Sequence, residues 1–314
     1  MFGLHQEIVR VIKEKTPDGM NPVDVLYEII PIRKESLYRR LRGEMPFTLD
    51  EASRIAVHLG ISLDKLLPHK SKDACNVKFV HDDLKNGDCK TINQIREALI
   101  TVKKNSEASL YTATNGLPFS HLYKYPTLSK FRIFAQNYQH RKETLPQKMS
   151  ELVISPQIRE SEISYHTMIQ QIPINYIWAK NMVQPFVTDI RYFSEINLLS
   201  QEEIDKLKEE AYSLLNDLEQ DVSAGKMLSG APFTVFLSNN FFDNNCIYVE
   251  SHSFRSCFFK IFGIDLLSST ESDLCDKTKE WIWSLMKYSV LISKSGIVER
   301  VHFFKQQRNL LDSI

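Results

Sequence analysis

Glycine is scarce in this 314-residue chain, with ten residues in all. None of the ten sits in a G-x-G-x-x-G or G-x-x-x-x-G-K-[ST] run, so a glycine loop cradling phosphates is excluded. G-x-S-x-G and H-E-x-x-H are also missing, and the nine histidines are scattered. The nearest approach to a catalytic constellation is Cys246, Glu250 and His252, which simple alternation along a strand places on one face. The expectation is a protein that is not an enzyme and carries no cofactor. Net charge is missing too: 39 basic side chains balance 39 acidic ones, which excludes a wholesale polybasic binder while allowing a local basic footprint. The five cysteines form no C-x-x-C pair and are odd in number, as suits a reducing compartment. Long apolar runs are lacking. "WIWSLMKYSVLI" (Trp281 to Ile292) is too short to span a bilayer and carries Lys287, while "MFGLHQEIVRVIKEK" is amphipathic, unlike a signal peptide. A cytoplasmic protein without membrane contact is expected.

What the chain does have is helix punctuation. Leu4, Ile8, Val11 and Ile12 recur at helical spacing over about Gly3 to Lys15, and "TPDGM" ends that helix. Asn21 as N-cap, Pro22 in the first helical position and Asp24 in the first turn open a second, which stops at Pro31. A third runs from about Arg33 to Arg42 and stops at Gly43. A fourth opens with the capping box Thr48-x-x-Glu51 and ends at Gly60, and Ser62 caps a short fifth. Five short helices in residues 1–68, with a tight link between the second and third, have the layout of a helix-turn-helix domain.

The third helix, "RKESLYRRLRG", concentrates five basic residues against one acid in a neutral chain. At about 100° per residue, Leu37 and Leu41 face one side, which must be the core. Glu35, Ser36 and Arg39 then suit base edges in a major groove, where Arg can fork onto guanine and Glu can accept from a cytosine amine. Tyr38, Arg40 and Arg42 suit phosphates on the groove walls, and Arg33 and Lys34 add to the basic footprint of the docking face. These eight residues form the expected site for double-stranded DNA.

The stretch "LYEIIPIRKESLYRRLRGEMPFTLDEASRIAVHLGISLDKLL" (Leu26 to Leu67) resembles the lambda-repressor-like, XRE-type helix-turn-helix regulators. Leu26, Ile32, Leu37, Gly43, Ala56, Leu59, Gly60 and Leu66 fall on the positions of that pattern. The resemblance implies sequence-specific DNA binding, with Lys34, Glu35, Ser36, Tyr38 and Arg39 at base- and phosphate-contacting positions. Two residues depart from the pattern: Tyr27 replaces a small residue, and Pro31 replaces the turn glycine. Proline cannot take the left-handed conformation, so a distorted or longer turn is expected there.

Residues 69–90 read as a polar linker. His69, Cys75, His81 and Cys89 lie in or beside it without the close pairs that structural zinc favours, so no metal is expected. Residues 91–314 read as a mainly helical regulatory or dimerisation domain. Its clearest helix opens with Ser200-x-x-Glu203 and stacks Ile204, Leu207, Ala211, Leu214, Leu218 and Val222 on one face. Short strands are expected at about Phe233 to Ser238 and Cys246 to Ser251, with Phe254 to Phe262 open between strand and helix; together they suggest a small antiparallel meander. A helix capped by Thr270 and a last helix carrying Ile297, Val301, Phe304 and Leu311 should follow. The aromatic stretch from Tyr111 to Lys142 could stack bases, but aromatics at helical spacing more often pack a core.

The fold expected is therefore mainly α, and the function a DNA-binding transcription regulator. Its C-terminal domain would dimerise, with Trp281 to Ile292 as the guessed interface, or sense a small-molecule or protein effector. The alternative is an adaptor that uses the helix-turn-helix as a protein-binding module.

Overall fold

Asn21, Thr48, Ser155 and Ser200 each start a helix with their own side chains. Each accepts a hydrogen bond from a backbone N–H one turn in, and Thr48 and Ser200 complete reciprocal capping boxes with Glu51 and Glu203. The computed structural model describes residues 3–17, 19–66, 75–82, 88–104, 107–140, 148–242, 245–263 and 265–314. They fall into two compact units, Met1–Asn76 and Val77–Ile314.

The first unit holds α1 (Leu4–Lys15), α2 (Pro22–Ile29), α3 (Lys34–Leu41), α4 (Leu49–Leu59) and a 3-10 turn, Leu63–Leu66. Ile8, Ile12, Val23, Leu26, Leu37 and Ile55 are nearly or wholly buried and form its core. Between α2 and α3 the chain spends four residues, Ile30 to Arg33, rather than the two expected from sequence. Pro31 supplies no N–H, and the Ile32 N–H closes back on the Ile30 carbonyl at 2.8 Å. The glycines that end α3 and α4 take the left-handed conformation, Gly43 at φ 78° and Gly60 at φ 61°.

The second unit overturns the expectation of a mainly helical domain with a small meander. It is a mixed α/β structure built on one eight-stranded sheet. The strands are β1 (Lys78–Val80), β2 (Ser109–Thr114), β3 (Ile174–Trp178), β4 (Phe233–Ser238), β5 (Cys246–Glu250), β6 (Arg255–Ile261), β7 (Asp265–Ser269) and β8 (Ser289–Leu291). Their order across the sheet is β1-β7-β6-β5-β2-β3-β4-β8. β2, β3 and β4 run parallel, and the other pairings are antiparallel. β1 and the residues leading into the next helix lie within the span read as a linker.

Long helical crossovers join the parallel strands, as parallel pairing requires. Between β2 and β3 run α6 (Phe119–Leu122), α7 (Pro126–His140) and α8 (Pro156–Ile169); between β3 and β4 run α9 (Gln184–Glu195) and α10 (Gln201–Ala224). α5 (Lys90–Lys103) precedes β2, and α11 (Ser272–Lys287) and α12 (Ile297–Asp312) complete the unit. α11 starts one residue after Glu271, with no side-chain cap, instead of at Thr270.

The central strands are buried on both faces. In β3, Tyr176 and Trp178 enter the larger apolar cluster with α5, α7, α8, α9, α10 and α12, while Ile177 points into a smaller cluster with α11. In α12, Phe303, Phe304 and Leu311 are the inward residues, and Ile297 and Val301 are exposed, contrary to the sequence expectation. No described helix is long and apolar enough to cross a membrane.

Candidate functional sites in the two units

The two units present different chemistry, and each site is built within one unit. In the first, Leu37 is wholly buried and anchors α3, which turns Arg33, Lys34, Glu35, Tyr38, Arg39 and Arg42 to solvent and leaves Ser36 half-buried. Lys34 Nζ donates to Asp24 Oδ1 at 2.6 Å, Arg42 Nε donates to Glu44 Oε1 at 2.6 Å, and Arg39 Nε lies 3.6 Å from Glu44 Oε2. These pairs are exposed and solvent-screened, so a phosphate can exchange for the carboxylate. The Asn21 side-chain amide donates to Tyr38 Oη at 3.4 Å.

Arg40 corrects the sequence reading. It is 8% exposed, not poised over a groove wall. Its Nε and Nη2 donate to the two carboxylate oxygens of Glu51 at 2.9 and 2.8 Å, and Nη1 donates to the Ser36 carbonyl at 3.3 Å. Burial pushes the Glu51 carboxyl up, but the Thr48 N–H and the Arg40 guanidinium outweigh it, and its pKa is lowered overall. Arg40 thus ties α3 to the capping box of α4. His5 braces the same corner: Nδ1 accepts from the Phe47 N–H at 3.2 Å, which leaves Nε2–H to donate to the Arg40 carbonyl at 2.9 Å.

In the second unit a cavity lies where β2 has a parallel neighbour on one side and antiparallel β5 on the other. Such a reversal beyond the carboxyl end of a parallel strand is where open α/β sheets bind ligands. The inner cavity, ≈ 80 Å³, is walled by Thr112, Ile247 and Phe258 of the sheet and by Ile92, Tyr123 and Tyr165 of the helices. A wider cleft of ≈ 710 Å³ shares Thr114, Phe119, Arg132, Asn245 and Lys260 with it.

Two cations therefore stand at the junction. Lys260 Nζ lies 4.0 Å from the centre of the Phe119 ring, and the Arg132 guanidinium carbon lies 5.0 Å from it. The Arg132 Nη2 to Glu162 Oε1 distance is 3.8 Å, and Arg132 Nε is buried without a hydrogen-bond partner. Lys260 forms no ion pair among the described residues. Burial, then the Arg132 charge, pushes the Lys260 ammonium well down in pKa, and Asp82 offsets part of that. The neighbouring carboxylates are already engaged. Asp82 accepts from the Thr91 N–H at 2.8 Å and its hydroxyl at 2.6 Å, and Asp265 Oδ1 lies 2.8 Å from His81 Nδ1.

The BetR domain is an N-terminal helix-turn-helix DNA-binding domain. Residues 21–114 match the BetR domain. The match supports the helix-turn-helix reading of α2 to α4, and it continues past Asn76 to the last residue of β2. No curated protein matches the chain. Among solved structures, "Structure of TrmBL2, an archaeal chromatin protein, shows a novel mode of DNA binding" aligns over 90% of this chain and 81% of that one. The identity is 12% and the TM-score 0.28, a value that does not establish a shared fold.

The BetR-matched segment contains all eight residues expected at DNA, and part of the cavity wall: Thr91, Ile92, Ile95, Thr112 and Thr114. Sequence reasoning names the first set as an expectation and misses the second. Arg132 and Lys260 are 128 positions apart, on α7 and β6, and no local motif links them.

A polar chain on α6 was missed for the same reason. The Ser120 hydroxyl bonds His121 Nδ1 at 2.9 Å and the Tyr176 hydroxyl, and His121 Nε2 lies 3.2 Å from Asp221 Oδ2. Ser120 resembles a nucleophile by these neighbours. However, Ser120 is 2% exposed and its hydroxyl is shared between two partners, which suits fixing α6 against β3 and α10. Among the described residues, no group of three His, Cys, Asp or Glu side chains is placed to hold a metal ion. His69, one of the residues weighed for zinc, lies outside the described residues.

Proposed function

We propose that the chain is a sequence-specific DNA-binding transcription regulator. In this reading α3 enters the major groove, and the second unit dimerises the protein or senses a ligand. The observation that carries it is the partition of α3: Leu37 fully inward, with Arg33, Lys34, Arg39 and Arg42 outward beside a single acid, Glu35. The BetR match over the same helices supports it. Glu35, Ser36 and Arg39 read base edges; Arg33, Lys34, Tyr38 and Arg42 hold phosphates, and Arg40 holds the helix. The protein acts in the cytoplasm as a homodimer, since one such module buries little surface and paired half-sites lie about one DNA turn apart. No catalytic step belongs to this reading.

Selection of the purified protein on a random double-stranded DNA pool at two salt concentrations tests it. An enriched two-fold repeat whose affinity falls steeply with salt is the expected result. No enrichment and no salt dependence would hand the α3 face to a protein partner. On the selected site, Arg39→Ala should weaken binding by about 1 to 3 kcal/mol and relax preference at one base position. Lys34→Ala should instead weaken all sequences alike and lower the salt slope by about one. Unchanged affinity and preference in Arg39→Ala would remove Arg39 from base readout.

A further inference from the structure

The cationic junction in the second unit is made by residues other than those assigned to DNA on α3. We propose that it binds a small aromatic acid, with the anionic head between Arg132 and Lys260 and the apolar body in the adjoining cleft. The inference deepens the ligand-sensing half of the function proposed above, and it rests on three observations.

The first is the missing counter-charge. Two cations converge on one aromatic ring, at 4.0 and 5.0 Å from its centre. Lys260 forms no ion pair with a carboxylate among the described residues, Asp82 acting on it and on Arg132 only at longer range, and the ion pair of Arg132 is the loose 3.8 Å approach to Glu162. Half-buried cations are ordinarily paired closely, and two of them that share one loose ion pair and face a cavity suit an arriving anion.

The second is an orphaned donor. Arg132 Nε is buried and unbonded, which is rare for a guanidinium N–H in a folded protein. The third is the shape and chemistry of the space. The junction residues line both the inner cavity and the ≈ 710 Å³ cleft, a volume in the range of small-molecule sites. Phe131, Phe186 and Phe193 line that cleft, with ring centres 5.6 Å (Phe131–Phe186) and 5.9 Å (Phe131–Phe193) apart. Asp189 is the one acidic residue in its described lining. A bound anion would also reverse the direction in which burial and Arg132 drive the Lys260 ammonium.

The probe is 8-anilinonaphthalene-1-sulfonate, an aromatic anion whose fluorescence rises on burial, titrated against the full chain. N-phenyl-1-naphthylamine, which lacks the sulfonate, serves as the neutral control. The sulfonate dye should saturate at one tight site per chain. Lys260→Met should weaken it about tenfold or more and leave the neutral dye within about twofold. Arg132→Gln should act in the same sense. Because Lys260→Met removes an uncompensated cation, it should melt no lower than the parent, so a lost dye site cannot be ascribed to unfolding. Unchanged sulfonate affinity in Lys260→Met would overturn the proposal, since the dye would then sit on exposed apolar surface elsewhere. Equal weakening of both dyes would overturn it as well, because the loss would then come from the apolar walls. Neither readout involves DNA, so failure here leaves the DNA selection standing, and failure of the selection leaves this site standing.

Discussion

Arg40→Ala should destabilise the first unit by about 3 kcal/mol, the lower end of the range for removing one member of a buried ion pair. The side chains of Arg40 and Glu51 are 10% and 13% exposed, and two parallel N–H···O bonds join them. Truncating Arg40 strands the Glu51 carboxylate in a semi-buried corner with only the Thr48 N–H and hydroxyl beside it. A unit of this size holds roughly 5 to 10 kcal/mol in total, so the loss is a large share of it. The three tryptophans, Trp178, Trp281 and Trp283, all lie in the second unit, so their fluorescence would miss the effect. Hydrogen exchange of α3 and α4 peptides in the full chain is the suitable readout, with Arg42→Ala as the exposed control that should leave exchange unchanged. Equal exchange in Arg40→Ala and parent would mean that the pair contributes nothing. The pair also sets a pH dependence. The Glu51 pKa is lowered by folding, so its stabilisation is present above the unfolded value of about 4.3 and lost as pH falls through the lower folded value.

Arg40 also shows how far the helix-turn-helix unit was legible. Capping residues, the break at Pro31 and the stops at Gly43 and Gly60 are local signals, and they place four helices within a residue or two. The inward faces of Leu37 and Ile55 follow from period alone. The role of Arg40 depends on Glu51, eleven residues away on another helix, and angular position marks it only as a flank. A flanking arginine can reach a phosphate or a partner on its own domain, and the capping carboxylate of α4 decides between them.

In the second unit, strands β4 and β5 are legible where they lie, since an Asn/Asp-rich stretch separates their β-branched and aromatic runs. Strand β3, "INYIW", is not. A central parallel strand is apolar on both faces and loses the alternation that marks a half-exposed one. β2, "SLYTAT", is one residue longer and sits in an aromatic stretch whose neighbours are helical. With β2 and β3 unseen, β4 joined the wrong partners: it pairs with β3 and β8, and the meander is β5-β6-β7. The cavity went with them, because it exists only where β2 meets β5.

The largest effect expected in that unit falls on Glu162. It is wholly buried on α8, accepts from the Ser129 hydroxyl and from Arg159 Nη1 at 3.2 Å, and lies 3.8 Å from Arg132 Nη2. Glu162→Ala should cost about 3 to 5 kcal/mol, because it strips the nearest carboxylate from Arg132 beside the already unpaired Lys260. Thermal unfolding followed by tryptophan fluorescence reads that loss directly, since Trp178, Trp281 and Trp283 all lie in this unit. The decisive measurement is the double variant. Lys260 opposes the Arg132 charge and Glu162 supports it, so removing Lys260 as well should relieve part of what the loss of Glu162 creates. Glu162→Ala/Lys260→Met should therefore be more stable than the sum of the single effects implies, by about 1 kcal/mol. Strict additivity would mean that Arg132 does not couple the two, and that the cations at the junction are screened from each other. A positive coupling places the unmet charge at the mouth of the cavity, where an anion can meet it.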